Sequence, residues 1–81
     1  MTRVLLFGRL SDIAGWRERA IEPEPASLSV LHQTIATLDP ILGEALTGPG
    51  VQAAVNRILV RGDVALDRGS EVAFMPPMSG G

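Results

Sequence analysis

The apolar positions of the chain follow two periods, and the changes between them mark its elements. Val4, Leu5, Leu6 and Phe7 form a short apolar run closed by Gly8. That predicts a strand buried over much of its surface. Leu10, Ile13 and Trp16 recur at every third position, enough for one helical turn, with Gly15 placed to stop it. Residues 17–22 mix Arg17, Glu18, Arg19 and Glu22 with Ala20 and Ile21, which reads as a polar edge strand. Pro23 and Pro25 end it, because proline cannot donate to a ladder. Ser27 is a good N-cap, and Leu28, Leu31, Ile35 and Leu38 follow at helical spacing as one buried face. Pro40 drives Asp39 out of the helical region and ends that helix. Ile41, Leu42, Ala45 and Leu46 predict a second, short helix before the breakers Thr47, Gly48, Pro49 and Gly50.

The last third has the period of strands. Residues 51–56 run to a turn at Asn56 and Arg57, where Asn tolerates positive φ, and Ile58, Leu59 and Val60 follow. Asp67, Arg68, Gly69 and Ser70 make a second turn, and Glu71, Val72, Ala73, Phe74 and Met75 the final strand. The order is strand, strand, helix, then two or three strands. One amphipathic helix must bury its stripe against the one sheet available. The first and last strands are the most apolar, which puts them side by side in the centre. The fold class expected is α+β, a ubiquitin-like β-grasp: a mixed sheet packed on one main helix over residues 1–75, with residues 76–81 as an extended tail. A ferredoxin-like sandwich would need a second long helix among the later strands, and residues 57–70 have no helical period.

Composition narrows the chemistry. With 81 residues, 46% apolar and 20% charged, the chain reads as one small globular domain. The absence of Cys excludes a disulfide scaffold, a thiolate zinc site, a Cys-ligated iron–sulfur cluster and a Cys nucleophile. All seven cations are Arg, so neither a Schiff-base lysine nor a P-loop lysine exists. Nine acids against those seven cations, without a basic cluster, argue against nucleic acid as a partner. No apolar run approaches the roughly 20 residues of a bilayer span, and none near the N-terminus is long enough for a secretory signal. The expected location is the cytoplasm, with no membrane partner. His32 stands alone beside the helix stripe and reads as a boundary residue; no metal site is expected. Asp63, Asp67 and Glu71 flank turns and read as local hydrogen-bonding residues.

The terminus carries the strongest functional signal. Pro76 and Pro77 hold extended backbone and direct Met78, Ser79, Gly80 and Gly81 away from the body. A Gly-Gly end can enter a channel that any side chain would block. The stretch from Ala53 to Asn56, together with residues 66–81, resembles the small subunit of molybdopterin synthase, the MoaD family. That family typically shows an "AVN" strand end, an "L-x-D-G-D-E-V-A" turn and strand, and a "PP-V-[ST]-GG" end. Ser70 stands where Asp is common, Met75 and Met78 replace other apolar residues, and Arg57 stands where Gly is frequent. The strong match covers about the last third of the chain, and a weaker one the whole.

The resemblance implies a sulfur carrier that is not catalytic alone. In such a carrier the Gly81 carboxylate, next to Gly80, is adenylated by a separate ubiquitin-activating-like enzyme. ATP is used by that partner, and the carrier binds no cofactor of its own. A sulfur donor then makes a thiocarboxylate. That end enters the large subunit of the synthase, in a heterotetramer of two small and two large subunits, and delivers sulfur to cyclic pyranopterin monophosphate. A thiazole-type sulfur carrier or a ubiquitin-like protein modifier is the alternative.

Strand alternation gives a partner surface independently. If Val4, Leu6, Ile58, Val60, Val72 and Phe74 face the helix, then Leu5, Phe7, Leu59, Ala73 and Met75 face away. Nothing else in so short a chain is available to cover that apolar set, unless residues 41–50 fold over it. Phe7, Leu59 and Met75 are the expected interface, with Pro76, Pro77, Met78 and Ser79 continuing it.

Overall fold

The local signals resolve into eight elements among the described residues: β1 (Thr2–Leu6), α1 (Arg9–Ala14), β2 (Glu18–Ile21), α2 (Leu28–Leu38), α3 (Pro40–Leu46), β3 (Gln52–Val55), β4 (Ile58–Val60) and β5 (Glu71–Met75). The structure is a computed structural model and describes residues 1–77. Each boundary has a local cause. Gly15 closes α1 in the left-handed region at φ 82°. Ser27 opens α2, its hydroxyl accepting the Val30 N–H at 3.3 Å. Asp39 is extended, as its place before Pro40 requires, and its carboxylate accepts the Leu42 N–H at 3.1 Å to start α3.

The strands form one mixed sheet in the order β2-β1-β5-β3-β4. β1 and β5 lie parallel at its centre, with Val4 opposite Val72 and Leu6 opposite Phe74. β2 flanks β1 and β3 flanks β5, both antiparallel, and β4 closes the far edge on β3. The helices cover one face. Val4, Leu6, Val72 and Phe74 from the central strands meet Leu28, Leu31 and Ile35 from α2, all almost fully buried. Each such side chain contributes about 1.5–3 kcal/mol of transfer free energy. This is the expected β-grasp class.

Two residues differ from the sequence reading, Leu38 and Ile58. Leu38 is 55% exposed rather than part of the buried stripe. At helical spacing it lies roughly 80° round from Leu28, at the margin of the face. Leu42 and Leu46 of α3 join the core instead. α3 packs on α2, where Gly43 comes so near Ala36 that a Cβ on it would fall 2.5 Å from the Ala36 Cβ. Residues 41–46 therefore belong to the helical layer and do not fold across the opposite face of the sheet. Ile58, expected to face the helix, is 69% exposed, because it begins the short edge strand beyond the reach of the helical layer.

The turn between β3 and β4 falls at Asn56 and Arg57, as expected. Both Asn56 (φ 49°) and Arg57 (φ 70°) take positive φ, as the mirror-image two-residue hairpin turn demands. Asn56 also anchors it to β5: its N–H donates to the Glu71 carbonyl at 2.8 Å, and its Oδ1 accepts the Glu71 N–H at 2.9 Å.

Candidate functional site

On the face away from the helices, register puts Leu5, Ala73, Ala54 and Leu59 side by side across four strands. Phe7 and Met75 extend the row into a shallow depression of about 620 Å³. None of residues 41–50 lines it. Phe7 is 48% and Leu59 60% exposed, while Met75 is half-buried. Among the described residues, no helix packs over this row, and an uncovered apolar row is the kind of surface that partners bind. The rim is charged. Arg3 spans it, pairing with Glu18 at 3.3 Å and Glu71 at 3.7 Å. An apolar centre within a polar rim is the usual anatomy of a protein interface.

The C-terminal lead leaves from one end of this face. The Phe7 N–H donates to the Phe74 carbonyl at 3.2 Å, which ties the chain after β1 to the end of β5. Gly8 (φ 56°) and Gly50 (φ 81°) then flank the exit. A Cβ on Gly8 would lie 3.1 Å from Pro76 Cγ, and one on Gly50 2.7 Å from Pro77 Cβ. Pro76 is half-buried and Pro77 exposed. Neither glycine was legible as part of the site: Gly8 read as a strand end and Gly50 as a breaker. No local pattern tells which proline each would meet. The remaining sequence-predicted site residues, Met78, Ser79, Gly80 and Gly81, lie outside the described residues.

A second concavity, of about 610 Å³, opens beside α2 and the β4 edge and includes His32, Ser29, Asp63 and Arg61. His32 is edge-on to Phe74, with ring centroids 5.2 Å apart at 71°. Burial pushes its imidazole below the ordinary value, and the Asp63 charge acts against that shift. Asp63 hydrogen-bonds locally, to the Val64 backbone, and also reaches well beyond its own turn. Its carboxylate accepts the Ser29 N–H at 2.8 Å and the Ser29 hydroxyl at 2.9 Å, capping α2. The backbone N–H and then the hydroxyl hold the Asp63 carboxyl below its usual range. The segment that carries it is pinned to the start of α2 by Leu28 N–H to Val64 O and Leu66 N–H to Ala26 O, each 2.9 Å. Among the described residues, no group of three His, Asp or Glu could hold a metal ion. No helix among them is long and apolar enough to cross a membrane.

A five-stranded mixed sheet with its first and last strands parallel at the centre, crossed by one main helix, defines a ubiquitin-like β-grasp protein. SAMP1 from Haloferax volcanii shares this fold, with a TM-score of 0.85 and 23% identity, over 99% of this chain and 98% of that one. The chain belongs to the ThiS family, whose model matches residues 4–81. It is MoaD-like within that family. It is 33% identical over 81 residues, all of both chains, to the molybdopterin synthase sulfur carrier subunit of Escherichia coli. It is 27% identical, again over all of both chains, to the subunit of the same name in Haemophilus influenzae.

Proposed function

We propose that this chain is the sulfur-carrier small subunit of a molybdopterin synthase. The observation that carries the reading is the full-length likeness to such subunits, joined to a Gly-Gly end behind a stiff Pro76-Pro77 lead. A carboxylate is a poor electrophile, so the Gly81 carboxylate first attacks the α-phosphorus of ATP on an activating enzyme. Pyrophosphate leaves, and the acyl-adenylate then loses AMP to a sulfur nucleophile, giving the thiocarboxylate. With no side chains on Gly80 and Gly81, this end reaches the large subunit's active site, where its sulfur attacks cyclic pyranopterin monophosphate and displaces an oxygen leaving group; water then cleaves the acyl–sulfur bond and returns the Gly81 carboxylate. The product's dithiolene needs two such deliveries. On this reading Phe7, Leu59 and Met75 dock the partners, two carriers serve two large subunits, and the ATP site lies on the activating enzyme. The carrier supplies the reacting atom and no acid, base or cofactor.

The test is the intact mass of the chain after incubation with ATP, a sulfur source and host extract, beside a Gly81-deleted control. A gain of sulfur for oxygen, absent from the control, is expected. No change, while a known carrier in the same extract is converted, overturns the reading. Gly81 found linked to cellular proteins would instead establish a modifier, and sulfur accepted only by thiazole-forming enzymes the thiazole-type carrier.

A further inference from the structure

We propose that Gly8 and Gly50 are positioning residues for the reacting C-terminus: their bare Cα atoms seat Pro76 and Pro77 and so set the direction in which the chain leaves the sheet. The inference rests on the carrier reading and adds to it the residues that aim the tail.

Proline has no N–H to donate, so once β5 gives way to Pro76 and Pro77 the ladder no longer steers the chain through their amides. Packing must do so. Gly8 comes from the turn after β1 and Gly50 from the loop before β3. They meet successive prolines, at 3.1 Å and 2.7 Å from a notional Cβ.

Positive φ alone does not account for Gly50. Gly15, Gly62 and Gly69 also take positive φ, at 82°, 69° and 72°, and a Cβ on any of them meets nothing within 4 Å. The φ of Gly50, 81°, is within a degree of that of Gly15, and only at Gly50 does a Cβ meet a neighbour, Pro77. The atom met is the ring Cβ, with Pro77 Cα only 3.6 Å away. That is rigid structure rather than the end of a flexible side chain, so a methyl group there displaces the lead itself. Real Cβ contacts do not fall under 3.0 Å and ordinary ones begin at 3.4 Å, so the gap of 2.7 Å must open by at least 0.3 Å, and by 0.7 Å to reach ordinary contact. A misplacement of about 1 Å can cost a reaction on the order of a hundredfold.

The matched pair Gly50→Ala and Gly15→Ala separates contact from backbone strain. Both substitutions place a methyl group at the same φ, and only the first meets Pro77. The full chain and both variants, checked for folding by circular dichroism, are given to the activating enzyme with ATP, and pyrophosphate release is followed against carrier concentration. Gly50→Ala is expected to lower kcat by about tenfold or more with KM nearly unchanged, because the apolar docking face is intact. Gly15→Ala is expected to stay within about twofold of wild type in both. In parallel, a nuclear Overhauser contact between Gly50 Hα and Pro77 Hβ protons is expected in wild type and in Gly15→Ala. If Gly50→Ala does not fold, Pro77→Gly takes its place: it removes the ring that Gly50 faces, and a fall in kcat of the same sign is expected. Equal rates for Gly50→Ala and Gly15→Ala, or a missing Gly50–Pro77 contact in wild type, overturn the positioning role alone. A wild-type chain that is never adenylated while a known carrier is overturns the carrier reading, and this role with it.

Discussion

The Asp63 carboxylate caps α2 from a loop 34 residues away, holding the Ser29 N–H at 2.8 Å and the Ser29 hydroxyl at 2.9 Å. Its pKa is depressed in the folded chain, so this contribution is present above the ordinary aspartate value of 3.8 and is lost as pH falls through the folded value. Asp63→Ala is expected to lower Tm at neutral pH. The difference from wild type is expected to shrink well below pH 3.8. Thermal melts of both proteins across that range check it, and a gap that widens in acid would contradict the capping role.

His32 titrates in a separate window. Burial lowers its folded pKa below the ordinary 6.5, so the unfolded chain takes up a proton first. Stability is expected to fall as pH drops from about 6.5 towards the folded value, then level off. In His32→Gln that decline is expected to be absent. Denaturant midpoints measured across the window decide it.

Phe74 and Leu59 sit on opposite faces of the same sheet and predict opposite outcomes. Phe74 is 1% exposed between His32 and the core. Phe74→Ala is expected to cost about 3–5 kcal/mol. That is a large share of the roughly 4–12 kcal/mol available to a chain of this size. Leu59 is 60% exposed. Leu59→Ala is expected to change stability by no more than about 0.5 kcal/mol. It is expected to weaken binding to the synthase large subunit by about 1–2 kcal/mol. Urea unfolding reads the first effect and titration calorimetry the second.

Arg57 takes φ 70° in a turn whose second position suits glycine. A non-glycine residue there is strained by about 1–2 kcal/mol. The extra freedom of an unfolded glycine takes back about 0.5–1 kcal/mol. Arg57→Gly is therefore expected to stabilise the chain by about 0.5–1 kcal/mol, as a higher urea midpoint at unchanged slope.

Much of the fold was legible because its causes are local. The Ser27 cap, the Leu28, Leu31 and Ile35 stripe and the break at Pro40 each act within a turn or two of helix. The exposed apolar row was legible too, since strand alternation is a property of the backbone. Leu38 and Ile58 were misjudged because periodicity gives a direction but not where the opposing layer ends.

The sequence by itself determined the element order, the central pairing of the two most apolar strands and a Gly-Gly end behind two prolines. Tertiary structure decided which face α3 covers, that Asp63 caps α2, and that Gly8 and Gly50 meet Pro76 and Pro77. The division has one physical reason. Caps, turns and alternation are written in neighbouring residues, whereas a close approach between residues as far apart as Gly8 and Pro76 exists only once the sheet has brought β1 beside β5.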